Sequence, residues 1–135
     1  MKRNRLISYV LAIIALYMLT VPAYAAAYSS AQIKAHQENV TCSSSTIDVT
    51  FSISAKTVVQ KLGCESIVIY KESGSGWILS ESLSENNNGM SLYNAFTHKN
   101  TISCSRDPLM QYKVVVTVFA EDSQGRDTRT KTFYV

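Results

Sequence analysis

Hydrophobic and polar residues alternate with a period of two through much of the chain. Ile47, Val49, Phe51 and Ile53 interleave with Asp48, Thr50 and Ser52, the pattern of a strand with one buried face and one wet face. Tyr112, Val114, Val116, Val118 and Ala120 form an equally regular set against Lys113, Val115, Thr117 and Phe119. A weaker alternation turns Ile33 and Ala35 inward and Lys34 and His36 outward. Over 127–135, Thr128, Thr130 and Thr132 alternate with Arg129, Lys131 and Phe133. Ile67-Val68-Ile69-Tyr70 is a short apolar run suited to a central strand, and Gly74-Ser75-Gly76 turns it into Trp77-Ile78-Leu79. Residues 85–89 read as a loop, 92–103 as a polar but β-compatible strand, and 106–108 and 122–125 as turns.

Seven strands at this spacing predict an all-β fold. Two antiparallel layers hide one face of every strand, so the expected architecture is a seven-stranded β-sandwich. Its expected core joins Ile33, Ile47, Val49, Phe51, Ile53, Ile69, Tyr112, Val114, Val116 and Val118. No convincing helix is read over 26–135, with 57–62 the one candidate for a helical turn.

The first 25 residues read differently. Lys2, Arg3 and Arg5 precede sixteen uncharged residues over 6–21, Pro22 breaks any helix, and Ala23-Tyr24-Ala25 places small residues at −3 and −1 of a cleavage site. This predicts a helical signal peptide over 1–25, cut after Ala25 with Ala27 as the nearest alternative, and a mature domain over 26–135. A membrane anchor needs about 20 apolar residues, whereas this run is shorter and interrupted by Ser8, Tyr9, Tyr17 and Thr20. The expected mature protein is therefore extracellular and not membrane-embedded. Charge fits that picture. Of 13 Lys and Arg residues three lie in the leader, and the remaining 10 balance the 10 Asp and Glu. A neutral domain lacks the electrostatic footprint of a nucleic-acid binder.

Two resemblances emerge from particular residues. Leu109-Met110-Gln111-Tyr112-Lys113-Val114-Val115-Val116, with Gly125 beyond, resembles the sixth strand and following loop of fibronectin type III domains, which are immunoglobulin-like in architecture. The resemblance implies that Tyr112 is a tyrosine-corner residue, its ring buried and its hydroxyl bonded to nearby backbone. The chain departs from that family at the second strand, where Phe51 stands and no tryptophan does. Tyr28-Ser29-Ser30, Leu62-Gly63, Ser66-Ile67, Tyr70, Trp77, Gly89-Met90, Tyr93-Asn94, His98, Tyr112, Val115-Val116-Thr117 and Asp127-Thr128-Arg129-Thr130 are similar to a group of small secreted proteins of Gram-positive anaerobes. That group implies a signal peptide followed by one β-sandwich and carries no assigned activity. The three cysteines of this chain are a departure from it.

An odd cysteine count in an exported chain suggests one bridge and one spare thiol. If every strand reverses direction, Cys42 and Cys104 lie in connections at the same end, and Cys64 at the other. The fibronectin-like arrangement also makes the strands beside them neighbours, so Cys42–Cys104 is the expected disulfide, with three reduced thiols as the alternative.

Catalytic chemistry has little support. His36 and His98 lie in no catalytic context, and the cysteine and histidine spacings match no metal motif. Glu121, Asp122 and Asp127 flank the last turn but fall short of the six to eight oxygens that calcium prefers. No metal or cofactor is expected. The chain reads as a non-catalytic binding module whose partner is a cell-surface protein or a glycan. Candidate contact residues are the aromatic Trp77, Tyr93 and Phe96, which stack or anchor when outward-facing, with Asn94 and His98 beside them. The competing readings are a small secreted enzyme or inhibitor working through Cys64 or His98, and an effector for which the sandwich is only a stable scaffold. Intact-mass analysis of the exported protein should give a chain beginning at Ala26; a membrane-bound species retaining Met1 would favour the anchor instead.

Overall fold

The computed structural model describes residues 32–135, so the expected leader, its expected cleavage site and Tyr28-Ser29-Ser30 lie outside the described residues. Six antiparallel strands make up this region: β1 (Ile33–Cys42), β2 (Thr46–Ser73), β3 (Gly76–Ser84), β4 (Ser91–Ser105), β5 (Tyr112–Asp122) and β6 (Gly125–Tyr134). The count is six and not the expected seven because the strands read around Ile47 and Ile67 are one element, β2. Nothing between them stops the chain: no proline intervenes, and Thr57-Val58-Val59 is a β-branched run that favours extended backbone. The candidate helical turn over 57–62 is replaced by strand for the same reason.

β2 organises everything else. Its first part pairs with β1 on one side and β4 on the other, as in Val40↔Val49 and Val49↔Ile102. Its second part pairs with β5 and β3, as in Ile67↔Val116 and Ile67↔Leu83. Between them Lys61, Leu62 and Gly63 are paired on both sides, with Tyr93, Leu92 and Ser91 of β4 and with Glu121, Ala120 and Phe119 of β5. One buried cluster draws on both parts of β2 and on β5, and all ten residues expected in the core are buried. Side-chain hydrogen bonds also tie the start of β1 to the β5–β6 hairpin. The Gln32 side-chain amide donates to Asp122 and to the Gly125 carbonyl, and the Ile33 N–H donates to Asp127 at 3.2 Å.

The inward and outward faces of β1 are not those the alternation suggests. A register shift between Ile33 and Ala35 inserts one extra residue, and every later side chain changes face. Ala35 becomes exposed, and Glu38, opposite Phe51, is buried with its carboxylate 2.9 Å from His36 Nδ1.

The Cys42–Cys104 disulfide does not form. Cys42 and Cys104 are both cross-strand partners of Ile47, one on each side of β2, and all three cysteines are free. Two strand spacings set their backbones on the order of 10 Å apart, beyond the roughly 7 Å that a bridge tolerates. The loops do share an end, but the strands are separated by β2.

Gly63 marks the tightest backbone approach. A Cβ there would lie 2.2 Å from the Met90 carbonyl oxygen, and its φ of +151° is one that side-chain-bearing residues avoid. Gly63→Ala should therefore destabilise the domain by more than about 2 kcal/mol, read as a drop of roughly 10 °C or more in melting temperature. Gly76→Ala, which meets open space at an ordinary φ, should leave the melt nearly unchanged.

Candidate recognition surface

The outward face of β6-β5-β2-β3 ends in a cross-strand row, Tyr134↔Lys113↔Tyr70↔Leu79. These residues share a face because directly paired residues of antiparallel strands project to the same side. Trp77, opposite Glu72 at the end of the hairpin, extends the row. Its ring lies 5.9 Å from that of Tyr134, tilted by 54°. Lys113 Nζ sits 4.5 Å from the centre of the Tyr70 ring and 5.6 Å from that of Trp77. Such contacts contribute about 0.5–1 kcal/mol each at exposed sites, enough to bias the side chains toward one arrangement. A shallow cleft of about 240 Å³ opens beside them, lined by Trp77, Gln111, Tyr112, Tyr134 and Val135. Tyr134 and Leu79 remain 69% and 62% exposed, so apolar surface stands in water next to a cation.

The remaining sequence candidates are elsewhere. Tyr93 and Phe96 do point outward, at 68% and 57% exposure, and Lys61 Nζ lies 5.1 Å over the Tyr93 ring. Asn94 adopts a left-handed φ of 50° within β4. Tyr93 is opposite Lys61 and Trp77 opposite Glu72, which sets the two groups on the order of 30 Å apart along β2. His98 belongs to neither group. It is buried, its Nε2 is 2.8 Å from the Gly89 carbonyl, and its ring meets the edge of Phe51 at 5.2 Å. Asn100 also donates to that carbonyl, so His98 fastens the 85–89 loop. Tyr112 is buried, and its hydroxyl accepts the Asp107 N–H at 2.8 Å. Tyr70 stands out in the sequence only as part of a central strand and of the resemblance, and Tyr134 not at all, since only the strand register brings them and Lys113 beside Trp77.

Charged groups around the last hairpin are engaged with one another. Arg126 lies 4.2 Å over Phe119 and pairs with Glu121, Glu65 and Glu85. Burial works to raise the Glu85 carboxyl pKa, but Arg126 and Lys61 outweigh it and hold that pKa below the ordinary value. Asp122 accepts from Gln32 and from the Gln124 N–H, and Asp127 pairs with Arg129. The carboxylates considered for calcium are thus committed to protein partners. No group of three or more potential metal ligands occurs among the described residues. Cys64 is fully buried and its thiol donates toward the Ser66 and Thr117 carbonyls. Burial, followed by smaller contributions that include the Glu38 charge, pushes its pKa up to about 12. It stays protonated near neutrality, the opposite of an activated nucleophile.

No family model, curated protein or solved structure matches the chain.

Burial also pushes the Cys104 pKa up, to about 11, with Glu81 adding to the shift. Both thiols keep their protons in the folded state at pH values where the unfolded chain loses them. They favour folding fully below the ordinary pKa of 9.0, and that contribution is lost as pH rises through 9 toward 11 and 12. Denaturant melts should show stability falling across this alkaline window, with a shallower fall in Cys64→Ala. Thiol titration should find Cys42 reactive in the folded protein and all three thiols reactive in unfolded, unreduced protein.

Proposed function

We propose that the chain is an exported, non-catalytic binding module with a fibronectin-III-like β-sandwich, recognising a cell-surface protein or glycan. The strand pairing supports the architecture. Counting the two parts of β2 separately gives seven strands, with β1, β4 and the first part of β2 in one group and β6, β5, β3 and the second part in the other. Tyr112 supports it further, because a buried tyrosine bonded to backbone five residues upstream is the arrangement of a tyrosine corner. Export rests on the basic, apolar and Ala-Tyr-Ala sequence of residues 1–25. The description as non-catalytic rests on Cys64 and His98, both held in the interior by backbone carbonyls.

The observation that carries the functional reading is the outward aromatic row of Trp77 and Tyr134 around Lys113. Aromatic rings beside a cleft supply the rigid, amphipathic contact area typical of interface anchors. A sugar ring can stack on either ring face, and a protein side chain can enter the cleft, whose volume is below the roughly 300–1,000 Å³ of small-molecule sites. The test is a glycan-array and cell-surface binding screen with the exported protein. Trp77→Ala with Tyr134→Ala should weaken the strongest interaction at least tenfold, the scale of a hot-spot loss, while leaving the melting temperature close to that of the unaltered protein. Undiminished binding by this double variant would overturn the assignment of the surface.

A further inference from the structure

Trp77, Ile78 and Leu79 are consecutive, large and exposed, at 37%, 49% and 62%. A run of this kind on a protein surface is unfavourable unless something uses it. It lies on an edge. Among the described residues β3 pairs only with β2, so its other side presents an open row of backbone donors and acceptors.

Natural edge strands are commonly protected by charge, bulges or proline, and the other edges of this protein follow that practice. β1 carries Lys34, His36 and Glu38, and β6 carries Arg126, Asp127, Arg129 and Lys131. β4 carries Lys99 in its later part, and Asn94 takes a left-handed φ of 50° in its earlier part. Residues 76–80 of β3 have no charge at all. Glu81 comes only after the extra residue Ser80, where the register with β2 shifts between Ile69 and Tyr70.

We propose that β3 pairs antiparallel with β3 of a second copy of this chain, about a two-fold axis at Ile78. In this register Ile78 meets its own copy, Trp77 meets Leu79, and Gly76 meets Ser80, so no like charges stand opposite one another. The Ser80 bulge bounds the pairing before Glu81 is reached. The sheet β6-β5-β2-β3 then continues into β3-β2-β5-β6 of the second copy. The rival pairing of β3 with another copy's β6 sets Arg129 and Lys131 against apolar side chains and leaves an open edge at each end, which propagates a filament. The two-fold arrangement closes on itself. The inference concerns the edge of the sheet and stands independently of what the aromatic face recognises.

Sedimentation velocity on the exported protein over about 1–100 µM, the span of weak to moderate affinities, should show a concentration-dependent monomer–dimer equilibrium. Ile78→Lys should raise the dimer dissociation constant at least tenfold without shifting the melting temperature of dilute protein, and Thr132→Lys on β6 should leave it unchanged. The two-fold axis has its own signature. Ile78→Cys in a Cys42→Ser background should oxidise to a covalent dimer, because paired Cα atoms roughly 4.5–5.5 Å apart are within disulfide reach. A monomer throughout that range would overturn the proposal. So would a dimer indifferent to Ile78→Lys, an Ile78→Cys protein that fails to cross-link, or association that requires a component other than this chain.

Discussion

The close approach of Gly63 and Met90 is the contact on which the fold turns. At this point β2 is paired on both sides, and the Cys64 N–H donates to the Met90 carbonyl at 2.7 Å. A side chain at residue 63 would fill the space that this bond occupies. Met90 itself is fully buried, and the preceding Gly89 carbonyl accepts bonds from His98 and Asn100. The 85–89 loop is therefore tied to two parts of the structure at once. It delivers the chain from β3, paired to the second part of β2, to β4, which runs beside the first part.

Polar groups in the interior follow from the same geometry. The bulge at the start of β1 turns Glu38 toward Phe51, and His36 meets its carboxylate. A buried carboxylate left without a partner would cost several kcal/mol, so the placement of His36 two residues earlier, on the same face, matters to stability. On the outward side Phe119 is fully buried although its parity is that of the wet face. Arg126 covers it while neutralising Glu65, Glu85 and Glu121. One planar cation thus shields an aromatic ring and collects three carboxylates, a role suited to a guanidinium and not to an ammonium.

The aromatic end of the outward face is different in kind. Trp77, Leu79 and Tyr134 stay in contact with water, with Trp77 against Tyr134 and Lys113 over Trp77 and Tyr70. Surface of this sort contributes little to folding and is available for association. Residues 76–80 of the β3 edge beside it carry no charge, whereas β1 and β6 carry several charges each. Trp77 and Leu79 of β3 belong to both features, whereas Tyr134 and Lys113 join the aromatic row from β6 and β5.

Much of the fold is legible in the chain. Strict alternation in Ile47, Val49, Phe51, Ile53 and in Tyr112, Val114, Val116, Val118 determines which side chains are buried, because period two admits only two faces. Glycine-rich and Asp-Pro stretches mark the turns for local steric reasons. Three things escape the pattern. β2 is continuous because nothing in 55–66 forces a turn, yet where its pairing passes from β4 to β5 is set by partners distant in sequence. Glu38 is buried because one bulge reverses parity, and a bulge depends on the fit between two strands. Cys42 and Cys104 remain apart because Ile47 of β2 lies between them, a fact of strand order that loop parity does not contain. The candidate recognition surface divides in the same way. Trp77 stands out as a lone tryptophan after a turn, but Tyr70, Lys113 and Tyr134 become its neighbours only through register across β2, β5 and β6. The sequence by itself determined strand faces and turn positions, which depend on adjacent residues, while only the tertiary structure decided strand order, bulges and cross-strand neighbours, because these depend on pairings between segments far apart in the chain.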